Sequence, residues 1–417
     1  MKKNVWIMNH YATNMFFESG GRHYFFADYL NKKNYQPTIF CASTNHFDNN
    51  AEPMIPNKKK YVTDIIENIP FVFIKSSDYK GNGVNRLKNM FTFYTNLRLI
   101  AKEYARKFGK PDIILASSVH PLTLLAGLSI AKIFKVPCIC EVRDLWPESI
   151  IAYGSIEKES LIAKLMYAGE KWIYKKADRI IMTWEGGKSY IIEHGWDSDL
   201  DVSKVYHISN GVALNKYDSN ANYFTFKDSD LEEKEYINIV YTGSIRKVNN
   251  IDMLLDVAKQ LSERGKSNIR FLIFGDGDER ISLEQRCKNE GIQNVKFKGR
   301  VDKKYIPNIL KQADINILHN KSTMLDKYGQ SQNKFFEYLA AGKCIIQTYS
   351  TGYSVLQKYK CGVSSLIQTP NDIVETILSV TDNEEKRANM GANARNAALD
   401  FDFSNLTDRL IDIIENV

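Results

Sequence analysis

The chain has 417 residues, of which 44% are hydrophobic and 25% charged. That length exceeds one ordinary core and predicts two or three domains, and the composition is that of a soluble globular protein, which excludes a disordered chain. The formal net charge is +7, and residues 55–110 carry the whole excess with 12 Lys/Arg against 4 Asp/Glu, a field that attracts anionic substrates, membrane surfaces or nucleic acid.

Taken in chain order, the N-terminus offers only the short apolar run "VWIM" before polar residues, which is no signal peptide. No stretch reaches the roughly 18 apolar residues a membrane helix needs; the nearest, "PLTLLAGLSIA" at 121–131, is followed at once by Lys132. A cytoplasmic location is expected. Short apolar runs at 5–9, 37–43, 112–118, 137–142 and 179–183 read as buried strands, with helical patterns between several of them. A second series follows at 238–244, 270–276, 294–299, 314–319 and 343–348. Strands alternating with helices predict parallel sheets covered on both faces, and two series predict two doubly wound α/β domains with ligands beyond the C-terminal strand ends. The stretch 207–237 turns polar after the Asn210-Gly211 turn signal. We therefore expect a first domain over 1–209, a second over 210–400, and a tail at 401–417 whose amphipathic helix packs back on the first domain. Cys138 and Cys140 alternate with Ile139 on a strand, which reads as core packing, not as a metal site.

Several loops after strands carry chemistry. Gly20-Gly21 precedes a helix pattern, where glycine lets a ligand approach the backbone and the helix N-terminus favours negative charge; an ordinary tight turn explains the pair equally well. Within 84–108, Leu87, Phe91, Tyr94, Leu97, Ala101 and Tyr104 form a helical stripe, with Arg98, Lys102 and Arg106 in a separate row. His120 follows a strand at the expected ligand end. Arg143, Asp144 and Glu148 lie close together beside Trp146, as an ion-pair cluster or as a grip on a polar acceptor. Five Asp-x-Asp pairs, including Asp197/Asp199 and Asp228/Asp230, read as solvated loops and not as ion sites. Gly275-x-Gly277 lacks the third small residue of a dinucleotide fingerprint, since Arg280 stands there.

Two stretches fit a nucleotide diphosphate. In "YTGSIRKVNN" a strand, Gly243 and the cations Arg246 and Lys247 precede a helix. In "KYGQSQNKFFEYLAAGK", Ser331 reads as an N-cap with Lys334 beside the first turn, and Glu337 comes one turn further in, where a carboxylate can accept from two ribose hydroxyls. The competing reading of Lys334 and Glu337 is an exposed salt bridge.

At these residues the chain resembles glycosyltransferase family 4, the retaining sugar transferases of GT-B fold, in which two Rossmann-like domains face each other across a cleft. The resemblance runs over nearly the whole chain: the Gly-Gly loop, "RDLWPES", "ISNGV", "YTGSI", "IFGDGDE", "FKGRV" and "SQNKFFEYLAAGK". "RDLWPES" is typical of the branch that builds bacterial O-antigen, capsule and exopolysaccharide. The resemblance implies hexosyl or N-acetylhexosaminyl transfer from a nucleotide sugar, UDP-linked by preference, held mainly by the second domain, to a lipid-linked or surface-polysaccharide acceptor held by the first. His120, Asp144, Arg246, Lys247 and Lys334 form the implied catalytic set. Gly20, Gly21, Gly243, Gly275, Gln330, Ser331, Asn333 and Glu337 would hold the donor, with Gly299, Arg300 and Val301 near its base. Arg143 and Glu148 would hold the acceptor. No metal or other cofactor is expected, nor a nucleic-acid partner; the basic segment is expected to rest on anionic lipid at the inner face of the cell membrane.

The family's E-x7-E motif is incomplete here: Glu337 matches its second Glu, but Gly329 stands at the first. Ser244 also replaces the Arg of the usual "GRL" pattern. A sugar-nucleotide epimerase or phosphorylase on the same paired fold is the alternative enzyme, and a non-enzymatic binding module the alternative class.

Overall fold

A computed structural model of the chain describes residues 2–45, 55–56, 58–79, 81, 83–152 and 154–417; Lys80 of the basic segment lies outside them. The chain divides into one unit of residues 1–209 with 403–417 and another of residues 210–402. No described helix is long and apolar enough to cross a membrane.

Among the described residues the first unit holds eight strands: β1 (Asn4–Met8), β2 (Gln36–Ala42), β3 (Tyr61–Ile66), β4 (Ile69–Ile74), β5 (Ile113–Ser118), β6 (Cys138–Val142), β7 (Arg179–Met182) and β8 (Val205–His207). They form one sheet in the order β3-β4-β2-β1-β5-β6-β7-β8, parallel except where β3 runs antiparallel to β4. β5 and β6 are buried at every position, which is why they read as continuous apolar runs without alternation. The sequence reading misses the β3–β4 hairpin. Its two-residue turn is Glu67-Asn68, both at positive φ, a conformation that normally announces itself through glycine.

The second unit contains β9 (Ile237–Thr242), β10 (Ile269–Phe274), β11 (Val295–Gly299), β12 (Ile315–Leu318), β13 (Cys344–Gln347) and β14 (Gly362–Ser364). These described strands pair in parallel in the order β11-β10-β9-β12-β13-β14. In each sheet the chain order reverses about one strand pair, β1/β5 in the first and β9/β12 in the second. Loops leaving such a pair at its C-terminal end part company and open a crevice.

The tail helix Phe403–Glu415 belongs to the first unit. Its buried face of Phe403, Leu406, Leu410, Ile413 and Ile414 recurs at helical spacing. Phe403 packs on Phe25 and Phe26 at 5.1 and 5.5 Å between ring centres, and Tyr35 donates to Glu415 at 2.6 Å.

Two sequence expectations are corrected. In the helix Val84–Phe108 the core face is Asn89, Met90, Phe93, Leu97, Ile100, Ala101 and Tyr104. Leu87 and Phe91 point outward, 54% and 56% exposed, on the same side as Arg98, Lys102 and Arg106. The true stripe is displaced around the helix because Met90, Phe93 and Ile100 supply an equally good period. The Asp228/Asp230 pair is no solvated loop: Lys298 lies 2.6 Å from Asp228 and also pairs with Asp230, which Arg270 meets at 3.0 Å.

Candidate functional site

In the second unit the β9/β12 reversal gathers the loop 243–250 beside the start of the helix Asn333–Ala341. Backbone bonds lace the neighbouring loops together: Gly243 N–H donates to the Phe274 carbonyl at 3.0 Å, Ile245 N–H to Asp276 at 2.9 Å and Gly275 N–H to Gly299 at 2.8 Å. This is where glycine is needed. A Cβ on Gly275 would lie 1.7 Å from the Gly243 carbonyl oxygen, and one on Gly243 would lie 3.0 Å from Lys334 Nζ.

Lys334 therefore sits against the Gly243 loop. Its ammonium donates to the Tyr241 hydroxyl at 3.1 Å and lies 4.4 Å from the Tyr241 ring centre, while that hydroxyl donates to the Ser244 carbonyl at 3.0 Å. Burial pulls the Lys334 pKa down to about 8, against the opposing pull of Glu337. Glu337, one turn on and half-buried, makes no hydrogen bond or ion pair among the described residues. Burial raises its pKa, with Lys303 and Lys334 acting the other way. The two side chains are thus not an exposed salt bridge; the lysine is held by an aromatic ring, and the carboxylate has unused acceptors.

Ser331 is not the N-cap that the sequence suggests. Gln332 holds that position without a side-chain cap bond, because Ser331 faces Asn210: its hydroxyl accepts from the Asn210 N–H at 2.8 Å and its carbonyl from Nδ2 at 2.5 Å. Gln330 is also engaged, donating to Gln347 at 2.6 Å and accepting from Tyr349 at 3.3 Å. Asn333, Arg246, Lys247 and Arg300 are exposed, whereas Val301 packs against the core of the unit.

His319 escaped the sequence reading although it directly follows β12. It bridges Thr348 Oγ1 at 2.7 Å and the Asn250 carbonyl at 2.8 Å, tying the loop after β9 to the end of β13. Burial first, and the Lys334 charge as well, lower its pKa to about 4 despite the Asn250 bond. It is neutral at physiological pH.

In the first unit, the β1/β5 reversal brings His10 and His120 together at 3.0 Å, Nδ1 to Nε2. His120 occupies the N-cap position of the helix Pro121–Phe134 without a side-chain cap bond, and burial, aided by the Arg86 charge, takes its pKa down to about 3. Arg143 is fixed through its backbone, donating to Ser118 Oγ at 3.2 Å and accepting from Trp184 Nε1 at 3.0 Å, while its Nε is buried without a partner among the described residues. Burial raises the Asp144 pKa against the Arg143 charge. Glu148 turns towards its own domain, where it accepts from Tyr167 at 2.6 Å and lies 3.5 Å from Lys158. Gly20 is buried, and Gly21 (φ +104) precedes the helix Arg22–Lys32.

Beneath these glycines lies a fully buried network that sequence reasoning missed. Glu141 on β6 meets Arg22 at 2.7 Å, His23 at 2.8 Å and the Ser117 hydroxyl at 2.6 Å. Arg22 also donates to the carbonyls of Ile208, at 2.9 Å, and Ser209. Burial alone would raise the Glu141 pKa, but Arg22 and His23 bring it well below the usual carboxylate range. A signal was present: a glutamate inside the apolar run "CICEV" and an Arg-His pair at the head of a helix.

Comparison with known proteins places two family models along the chain: Glycosyltransferase Family 4 over residues 24–216 and Glycosyl transferases group 1 over residues 223–397. An uncharacterized glycosyltransferase of Methanocaldococcus jannaschii is 24% identical over 294 residues, covering 68% of this chain and 70% of the relative. The putative teichuronic acid biosynthesis glycosyltransferase TuaH of Bacillus subtilis is 27% identical over 228 residues, 53% of this chain and 52% of TuaH. Among solved structures, sucrose-phosphate synthase from Thermosynechococcus elongatus superposes with a TM-score of 0.69 at 15% identity, over 100% of this chain and 99% of the other. Anabaena HepE in complex with UDP superposes with a TM-score of 0.69 at 13% identity over 100% of both chains. At such identities the structural likeness is one of fold.

Proposed function

The chain belongs to glycosyltransferase family 4, with the GT-B architecture of two Rossmann-like units, and is an enzyme that transfers glycosyl groups; from that premise we propose that it moves a sugar, with retention, from a UDP-linked donor to a lipid-linked or surface-polysaccharide glycan. One observation carries the donor assignment. Lys334 is held against Tyr241 and Gly243 at the β9 loop, and Glu337 stands one turn away with its carboxylate unpaired among the described residues. In this reading the ammonium faces the diphosphate and the carboxylate accepts from the ribose hydroxyls. HepE, described with UDP and with UDP-glucose, supports the choice of nucleotide, and TuaH, named for teichuronic acid biosynthesis, supports a surface-polysaccharide acceptor.

The chemistry follows from charge. The acceptor hydroxyl attacks the anomeric carbon as the bond to the phosphate oxygen breaks. That oxygen takes the electron pair and receives the proton from the acceptor on the same face, which preserves the anomeric configuration. Lys334, Arg246 and Lys247 stabilise the negative charge that develops on the diphosphate, the largest contribution a preorganised site makes. In the first unit, His120, Asp144 and Arg143 serve the glycosyl substrate. The outward face of the helix Val84–Phe108, with Leu87 and Phe91 beside Arg98, Lys102 and Arg106, supports docking on anionic lipid.

Calorimetric titration of UDP, GDP and uridine into the wild type and Glu337→Ala tests the donor site. Charge-assisted hydrogen bonds contribute about 1.5–3 kcal/mol each. The variant should lose at least roughly tenfold in affinity for all three ligands, at about 1.4 kcal/mol per decade. Unchanged binding would place the nucleotide elsewhere.

A further inference from the structure

Resting on the reading of His120 above, a further conclusion comes from the groups behind it. Asn89 lies fully buried on the inner face of the helix Val84–Phe108. Its Nδ2 donates to the Ser77 carbonyl at 2.6 Å and to the Thr44 hydroxyl at 3.1 Å. A carbonyl only accepts, so the amide orientation is fixed and Oδ1 is the atom 2.7 Å from His10 Nε2. Oδ1 only accepts in turn, so His10 carries a proton on Nε2. A neutral His10 then presents a lone pair at Nδ1, and the atom facing it at 3.0 Å, His120 Nε2, must be the donor. What remains on His120 is a bare lone pair at Nδ1, a buried atom with no hydrogen-bond partner among the described residues.

The opposite polarity needs a charged His10 donating from both nitrogens. It would place a cation in a fully buried ring and leave an N–H on His120 without an acceptor, the costlier kind of orphan. Packing allows little freedom: the His10 ring lies 4.4 Å from Phe93 and 4.9 Å from His120 between centres.

We propose that Asn89 and His10 are positioning residues that lock His120 in its Nε2–H tautomer, so that at the end of β5 it presents an acceptor only and recognises a hydroxyl on the glycosyl substrate. The chain runs in one direction, with Asn89 receiving from His10, His10 receiving from His120, and His120 left to receive from the ligand. His120 is therefore a hydrogen-bond acceptor in the reaction and not its acid.

Selective 15N labelling of the seven histidines and long-range 1H–15N correlation tests this in the wild type, without any substitution of the triad. The expected spectrum shows His120 with a pyrrole-type Nε2 and a pyridine-type Nδ1. A pyrrole-type Nδ1, or a doubly protonated ring, overturns the proposal. His10→Phe keeps a ring beside Phe93 but removes the acceptor. It should give mixed His120 tautomers and at least a tenfold loss of kcat for UDP release from whichever of UDP-glucose, UDP-galactose and UDP-N-acetylglucosamine the wild type turns over, with UDP affinity unchanged. His10→Gln, whose carbonyl can accept from Nε2–H, should recover much of that loss. A His10→Phe variant with one sharp Nε2–H tautomer and wild-type kcat also overturns the assignment. The tautomer is read without turnover, so failure of the lock is distinguishable from failure of the proposed transfer reaction.

Discussion

Replacing Lys334 by Met should make the protein more stable and a worse binder of nucleoside diphosphates. Lys334 has a pKa lowered from 10.5 to about 8, chiefly by burial. At about 1.36 kcal/mol per tenfold change, that difference corresponds to a cost of about 3 kcal/mol for carrying the charge at pH 7. Between pH 8 and 10.5 the unfolded chain binds the proton more tightly than the folded one, so stability rises with pH across that window, and below it the full cost is present. Met keeps the apolar stem but discards the ammonium and its cation–π contact with Tyr241, itself about 1 kcal/mol. Tyr241 keeps the Ser244 carbonyl as acceptor. The net gain is about 2 kcal/mol, a rise of roughly 4–8 °C in the Tm of the second unit. Against that stands the loss of a charged hydrogen bond to phosphate, about 1.5–3 kcal/mol, which should weaken UDP binding while leaving uridine binding nearly unchanged. Scanning calorimetry with titration of both ligands reads the two effects. Near pH 8, UDP binding to the wild type should also take up protons, seen as a dependence on the ionisation enthalpy of the buffer, and this should vanish in Lys334→Met. A variant that is less stable at pH 7 and binds UDP as the wild type does would refute the assignment of a costly, ligand-directed charge.

Two further outcomes follow from other parts of the chain. Glu141→Gln leaves the Arg22 guanidinium buried without its counter-charge, which should cost about 3–5 kcal/mol in chemical denaturation; because the Glu141 pKa is held low, the wild type should lose this contribution only as the pH falls below the ordinary carboxylate range. Replacing Arg98, Lys102 and Arg106 together by Ala should lower binding to anionic vesicles by roughly a hundredfold, at about 1 kcal/mol per cation, and equal wild-type binding to neutral and anionic vesicles in a flotation assay would remove the membrane from the account.

The sheets were legible because parallel strands buried on both faces leave unbroken apolar runs, and "DIILASS" and "PCICEV" lie on β5 and β6. Short edge strands such as β8 and β14 carry too few residues to show a pattern, and the Glu67-Asn68 turn lacks the glycine that would mark it. At the site, Lys334 and Glu337 stood out through their place on one short helix. The partner of Lys334, Tyr241, lies 93 residues away, and no local spacing reveals it. The same holds for Glu141 and Arg22, 119 residues apart, and for Ser331, whose preference for Asn210 over its own helix is a tertiary choice. In the helix Val84–Phe108 two apolar sets share the helical period, and only packing decides that Met90 and Phe93 turn inward while Leu87 and Phe91 turn out.

Transfer itself can be measured directly. The protein is incubated with radiolabelled UDP-sugars in the presence and absence of a bacterial lipid extract, and the label is followed into the organic phase. One UDP-sugar should deliver its label to lipid-linked glycan only when extract is present, the new linkage should keep the anomeric configuration of the donor, and Glu337→Ala should slow the transfer. Interconversion or consumption of the UDP-sugar at the same rate without extract, with no label in lipid, would contradict it.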